Sequence, residues 1–449
     1  MKLSVIAEHT QGQLYGQDID AVSFSSDTRL LQAGDVFIAL SGANFDANSF
    51  VAKAQAQGAS AAIVSQYQAD CSIAQIVVAN THTALGQLAK AWREQFDLVR
   101  VAMTGSSGKT TVKELAASIF RQAGNTLATL GNKNNDIGVP LTLLRLNKSH
   151  QYGVFELGAN HQGEIAYTTA LVQPHAALIN NIGTAHLEGF GGRDGIAKAK
   201  GEIFSGLVTG GVAIINADDE FAEYHKTLCA DYKILTFSVC KAADIYATDI
   251  KRGAGGAYQF NLHIAQQITP IQLGLIGQHN VANALAAASL AFACGLSLAQ
   301  IKVGLETAQA AAGRMVLHRG THITVIDDTY NANPNSVKAA IDELALCLGR
   351  RVVVLGAMGE LGADAASLHQ EVGAYAQAKQ LDALYCVGLF SEATAAGFGT
   401  QAKVFTTQAL LIEALQAELN KDVTLLVKGS RSAQMEKVVQ AFIESVSTV

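Results

Sequence analysis

The sequence predicts an α/β protein of three domains with mostly parallel sheets. Two observations carry this. β-branched runs alternate with Ala/Leu-rich helical runs along most of the chain, and 449 residues are too many for one ordinary hydrophobic core. A third agrees: 41 glycines against 4 prolines suit many tight strand-to-helix turns and few rigid linkers.

In chain order, residues 1–80 read as a small α/β unit, with strands at Asp35–Leu40 and Ala61–Ser65 around a helix near Ala47–Gln57. Residues 81–312 form a central block with strands at Val99–Met103, Val154–Leu157, Ala177–Asn180 and Val212–Asn216. Residues 313–449 restart the alternation at Ile323, with strands at Thr324–Asp327, Val352–Leu355 and Thr424–Val427. The stretch Val281 to Ala299 has no charged residue and is long enough to suggest a membrane span. It is mostly alanine, however, and Gly295 and Ser297 read as a helix stop and a new N-cap, so two buried helices are expected.

Composition narrows the function. With 49% hydrophobic and only 16% charged residues the chain suits a well-buried enzyme, not a disordered segment. A net charge of -6 without a long basic run gives no electrostatic support for nucleic acid or a membrane surface as partner. The six cysteines lie far apart, which argues against a zinc site or disulfide framework and for a reducing compartment. The N-terminal apolar run breaks at Glu8, too early for a signal peptide, so a cytoplasmic protein is expected, and a monomer.

The sharpest motif is Thr104-Gly105-Ser106-Ser107-Gly108-Lys109-Thr110-Thr111, which follows a strand and opens a helix with apolar residues at helical spacing, Val112, Leu115, Ala116, Ile119 and Phe120. Such a junction aims backbone N–H groups and a helix dipole at phosphates, Lys109 neutralises charge, and Thr110 can hold Mg²⁺. The pattern is an incomplete Walker A, with Met103 where a glycine would stand six residues before the lysine. Glu156 sits in an apolar strand, where an unpaired charge is costly unless it faces a metal or a lysine. His186 is a second metal-ligand candidate, or a loop histidine. On the helix expected over Gly195–Leu207, Lys200 falls on the face of Ile196, Ile203 and Leu207, while Lys198 points elsewhere. A lysine on an apolar face snorkels to water or, near metals, is open to chemical modification.

Together these residues resemble the ATP-dependent muramyl ligases of peptidoglycan synthesis over nearly the whole chain. Besides the phosphate loop, the resembling runs begin at Gly131-Asn132-Lys133-Asn134-Asn135, Glu156-Leu157-Gly158-Ala159-Asn160-His161, His186-Leu187-Glu188 and Ala199-Lys200-Gly201-Glu202. They continue at His279-Asn280-Val281-Ala282-Asn283, Gly313-Arg314, Asp327-Asp328-Thr329-Tyr330-Asn331 and Lys428-Gly429-Ser430-Arg431. Nearest is the branch that joins D-alanyl-D-alanine to UDP-N-acetylmuramoyl-tripeptide.

The resemblance implies a UDP-sugar domain, a central P-loop ATPase and a C-terminal Rossmann-like domain for the incoming amine. It implies ATP, two Mg²⁺ ions and a CO₂-derived carbamate on Lys200, with Glu156 and His186 as companion ligands. Lys109 has a catalytic role by the same likeness. Asn280 and Asn283 match residues near adenine, Arg314 an arginine that meets the phosphates, and Asp328 a residue near the ribose. Ser26, Thr28 and Arg29 fall in a run resembling the uridine loops, as does Gly42–Asp46; Asn134, Asn135, Asn160 and Asn331 are further substrate-binding candidates. Ala357 stands where the family usually has Asp, Gln278 replaces a commonly charged residue, and the Asp-Asn-Pro-Arg signature of the sibling adding a diamino residue is missing. A folylpolyglutamate-synthetase-like ligase shares the ATPase core but lacks the N-terminal domain; a nucleotide switch that makes no bond has no use for the asparagine cluster.

Overall fold

The computed structural model describes residues 1–42, 46–183, 187–320, 322–418 and 422–443. It contains three sheets. Five strands between Gln13 and Val77 form the first, parallel except for the edge strand Gln13–Tyr15. Six between Val316 and Lys428 form the last, again parallel except for one edge strand, Val316–Arg319. The middle sheet has nine strands, six of them parallel and three, Ile245–Arg252, Ala257–Ile264 and Gln267–Ile276, joined as antiparallel hairpins at one side.

The central strand Val99–Thr104 shows why these sheets are covered on both faces. Val101 and Met103 pack with Val112, Leu115 and Ala284 of two helices, while Ala102 belongs to the opposite core with Phe155 and Leu88. That second core does not stop at the first sheet. It runs without a break from Leu3, Ile38 and Ile76 through Leu88 and Trp92 to Phe155 and Phe204. The joint is the helix Thr81–Arg93, started by the Asn80 side chain accepting from Thr83 N at 3.0 Å. Its Trp92 meets Phe24 edge-on and donates to the Leu146 carbonyl at 3.0 Å.

The strand expectations hold to within two residues, and the uncharged stretch is indeed two helices, His279–Ala293 and Leu298–Thr307. Ser297 and Gln300 cap the second reciprocally. No described helix is long and apolar enough to cross a membrane. The helix expected over Gly195–Leu207 is α-helical only from Arg193 to Gly201 and then tightens into a 3₁₀ turn, Glu202–Gly206. Glu202 is drawn there because its carboxylate takes the N–H groups of Gly163 (2.8 Å) and Ala166 (3.1 Å). The hairpins over 245–276 were not expected.

The last sheet's block is tied to those hairpins. Glu343, 2% exposed, accepts from Arg252 Nε and, at 3.0 Å, from the Tyr258 hydroxyl. Removing the carboxylate strands a guanidinium that is itself only partly solvated. We expect Glu343→Ala to lower stability by about 2–3 kcal/mol, below the full range for a buried pair because Arg252 keeps some water. A urea unfolding midpoint unchanged from wild type contradicts this.

Candidate active site

Register builds the site. In the middle sheet the strand Val99–Thr104 lies between Tyr152–Glu156 and Ala176–Ile179, with Met103 opposite Glu156 and Thr104 opposite Ile179. The glycine-rich loop, Glu156 and the pair Asn180-Asn181 therefore emerge side by side at the carboxyl ends of three adjacent strands, where open α/β sheets bind ligands. A cavity of about 470 Å³ opens there, and residues 314–339 and Lys428 of the last block close its other side.

Gly108 begins the helix Lys109–Arg121 at φ 79°, and a Cβ there would lie 2.4 Å from Asn283 Oδ1 and 2.6 Å from Asn180 Nδ2. The loop backbone is held by asparagines. Asn181 accepts from Ser107 N at 2.8 Å, and Asn180 donates to the Ser107 carbonyl at 2.9 Å and to Asn283 at 2.9 Å. Asn283 in turn donates to Asn280 at 2.8 Å. Asn333 reaches Ser107 Oγ from the last block at 3.1 Å. These bonds leave the N–H groups at the helix start free to face an anion.

Charge is concentrated within a few ångströms. Lys109 Nζ folds onto the Gly105 carbonyl at 2.7 Å. Burial lowers its pKa, Glu156 opposes that, and Arg314 adds to it. Glu156 is 2% exposed; it accepts from Thr110 Oγ1 at 2.8 Å and from Asn134 Nδ2 at 2.7 Å. Arg314 crosses from the last block to donate to Thr110 Oγ1 at 2.9 Å and stacks its guanidinium 4.2 Å over the Tyr330 ring. Its Nε is buried and makes no hydrogen bond among the described residues. An orphaned cationic N–H at the rim of a phosphate-type loop is chemically suited to an anionic ligand.

Two family models match the chain, the Mur ligase middle domain over residues 103–291 and the Mur ligase glutamate ligase domain over 313–431. A UDP-N-acetylmuramoyl-tripeptide–D-alanyl-D-alanine ligase from Escherichia coli is 46% identical over 99% of this chain and 98% of its own. The chain belongs to the Mur ligase family. A MurF crystal structure from Acinetobacter baumannii superposes with a TM-score of 0.92 at 43% identity, covering 98% of both chains. MurF from Thermotoga maritima, solved in complex with ADP, gives 0.84 at 26% identity over 95% of this chain and 98% of that one.

In this Mur ligase the remaining candidates fall into three sets. Ser106 to Thr111, Asn134, Asn135, Asn160, Asn280, Asn283, Asp328 and Asn331 line the same cavity, and Gly105 precedes it in the loop. Asp328 is already paired with the buried Lys428 Nζ at 2.6 Å. Ser26, Thr28 and Arg29 stand outside that cavity. Arg29 instead clamps Asp27, whose pKa it holds down at about 2, with Lys133 of the middle block adding to the effect. His186 lies outside the described residues, as do positions 43–45 of the second loop compared with the uridine site.

Lys200 is 1% exposed, so it does not snorkel, whereas Lys198 is exposed. Burial first and the Lys109 charge second push its pKa well below the ordinary lysine value, and its amine makes no hydrogen bond among the described residues. No group of three or more His, Cys, Asp or Glu side chains is placed to hold a metal among the described residues. The sequence reading missed Asn180, Asn181 and Asn333; polar residues just past a strand's carboxyl end were the available signal.

Gly108→Ala should lose nucleotide affinity tenfold or more. The left-handed backbone alone costs a side chain about 1–2 kcal/mol, and the methyl would press on Asn283. Calorimetric titration with Mg-ADP giving wild-type affinity would contradict the assignment of this contact.

Proposed function

We propose that this chain joins D-alanyl-D-alanine to UDP-N-acetylmuramoyl-tripeptide at the expense of ATP, giving UDP-N-acetylmuramoyl-pentapeptide, ADP and phosphate in peptidoglycan synthesis. Residues 1–80 bind the UDP-sugar, 81–312 bind ATP, and 313–449 bring the amine component; the enzyme works as a cytoplasmic monomer. The observation that carries this reading is the meeting of the Gly-Lys-Thr loop and Glu156 with Arg314 in one cavity. Likeness over 99% of the chain, N-terminal block included, favours it over a folylpolyglutamate-synthetase-like ligase.

A carboxylate is a poor electrophile, so the tripeptide carboxylate first takes the γ-phosphoryl group and becomes an acyl phosphate. The dipeptide amine attacks that carbonyl, and the tetrahedral intermediate collapses to amide and phosphate. Catalysis of the first step is mainly positioning and charge neutralisation. The loop N–H groups, Lys109 and Arg314 supply both, while Asn280 and Asn283 lie toward adenine and Asp328 toward ribose. Asn134 fixes the Glu156 carboxylate and, with Asn135, Asn160 and Asn331, borders the peptide end; Ser26, Thr28 and Arg29 serve the uridine end.

Thr110 and Glu156 offer hard oxygens 2.8 Å apart with a buried carboxylate, a donor set that fits Mg²⁺. Bound metal would neutralise phosphate charge as it shifts toward the acyl group. His186 and Lys200 are the ligands proposed for a second ion. For Lys200 this requires a carbamate: the neutral amine nitrogen bonds to the carbon of CO₂ and releases one proton, turning a neutral amine into an anionic ligand. A buried amine with no hydrogen bond among the described residues suits that chemistry better than an ammonium does.

Phosphate release from ATP should need both the UDP-sugar tripeptide and D-alanyl-D-alanine; equal turnover without the dipeptide sinks the reading. Arg314→Ala should lower kcat on the order of 100-fold. Lys200→Ala should be as impaired and partly rescued by added short carboxylates, whereas full activity in that variant removes the carbamate.

A further inference from the structure

Lys428 is buried and lines the phosphate cavity, yet no step of the proposed reaction uses it. Its ammonium turns into the protein, donating to the Asp328 carboxylate at 2.6 Å and to the Asn331 carbonyl at 2.8 Å. Register sets the pair: Asp328 and Lys428 stand opposite one another at the ends of the parallel strands Ile323–Asp328 and Val423–Lys428. The lysine is therefore committed before any ligand arrives. A buried ion pair is weak evidence for stability, so its use has to be sought in what it holds.

The other oxygen of Asp328 shows what that is. Asp328 Oδ1 accepts from the Met315 N–H at 3.2 Å while Oδ2 takes Lys428. Met315 follows Arg314, and its backbone is left-handed at φ 54° although its side chain is buried in the core of the last block with Ile326 and Val337. A bulky residue keeps that conformation only where its surroundings over-determine it. Gly313, on the other side of Arg314, is left-handed too, at φ 68°. A Cβ there would lie 3.0 Å from Tyr330 N, which donates to the Gly313 carbonyl at 3.0 Å and closes the turn.

Arg314 is thus presented from a strained turn with a support on each flank. One is Tyr330, whose ring also lies 4.2 Å from the guanidinium. The other is Met315, tied to Asp328 and through it to Lys428. Among the described residues Lys428 makes no hydrogen bond to Arg314 or to the glycine-rich loop. Its influence runs instead through the Asp328 carboxylate and the Arg314 backbone, and ends where Arg314 donates to Thr110 Oγ1 at 2.9 Å. Charge matters as well as shape. An Asp328 carboxylate stripped of its ammonium would draw the next cation, and the buried Arg314 Nε, without a hydrogen bond among the described residues, is one residue from the N–H that Asp328 already holds.

We propose that Lys428 is a positioning residue for the phosphate-facing arginine. By neutralising Asp328 and locking its carboxylate onto the Met315 N–H, it holds the turn Gly313–Met315 so that the Arg314 guanidinium serves phosphate and not Asp328. Lys428 itself touches no substrate. This rests on the reading above in which Arg314 neutralises phosphate charge.

The test is a double-mutant cycle of Lys428→Met with Arg314→Ala in the full chain. It is read on kcat with all three substrates and on the calorimetric affinity for a non-hydrolysable Mg-ATP analogue. Lys428→Met alone should lower both about tenfold, and should cost less than a further twofold once Arg314 is alanine, because residues that act through one another are not additive. A lysine that served only the ribose through Asp328, or only stability, would cost the same factor in both backgrounds. Lys428→Gln, which keeps a donor toward the Asn331 carbonyl, should fall between Lys428→Met and wild type; it carries the cycle if the melting curve shows Lys428→Met to be unfolded. A kcat and affinity within twofold of wild type in the folded Lys428 variants, or an undiminished loss in the Arg314→Ala background, overturns the proposal. Phosphate release by wild type that does not need the dipeptide overturns the ligase reading instead, and the binding cycle then decides the role of Lys428.

Discussion

The short chain of contacts from Arg314 through Thr110 to Glu156 is what the site depends on. It joins a strand end, the first turn of a helix and a separate domain in two hydrogen bonds. A buried carboxylate is tolerated at the end of an apolar strand only because Thr110 and Asn134 satisfy its oxygens and Lys109 is close. The same demand fixes the phosphate loop against its neighbour, since Thr110 cannot reach Glu156 unless Met103 and Glu156 hold their parallel register.

Around this chain the asparagines do the quieter work of shaping. Asn180 and Asn181 satisfy the Ser107 carbonyl and amide, and Asn283 braces Asn180, all without adding charge, so the field of the cavity stays positive at Lys109 and Arg314 and negative at Glu156. A charged residue in any of these places would have to be neutralised again by the ligand. Amides can donate and accept at once, which lets one side chain brace two segments.

Much of this was legible in the sequence because strand ends and their first polar residues are adjacent in the chain. Lys109 and Glu156 were singled out by residue type and setting and Lys200 by helical spacing, whereas Asn134 and Arg314 were reached only through the family resemblance. The antiparallel hairpins were not expected, although Tyr258, Phe260, Leu262 and Ile264 alternate at period two; their polar neighbours lacked the β-branched density of the parallel strands. Glu202 ended a helix early by capping a segment 36 to 39 residues away, a tertiary contact that local propensity cannot register. The pairing of Asp328 with Lys428, 100 residues apart, was hidden for the same reason.

The unbroken core through Leu88, Trp92 and Phe155 has a mechanical consequence. Two sheets that share one apolar interior cannot hinge against each other without exposing it to water, so hinging between them would cost the burial of this shared core. On the proposed function, the uridine end and the γ-phosphate end of the substrate site are then fixed marks on a rigid ruler. A nucleotide-linked peptide too short to span them would leave its carboxylate out of reach of the phosphate. The enzyme would thus count residues by distance, before any side chain is recognised.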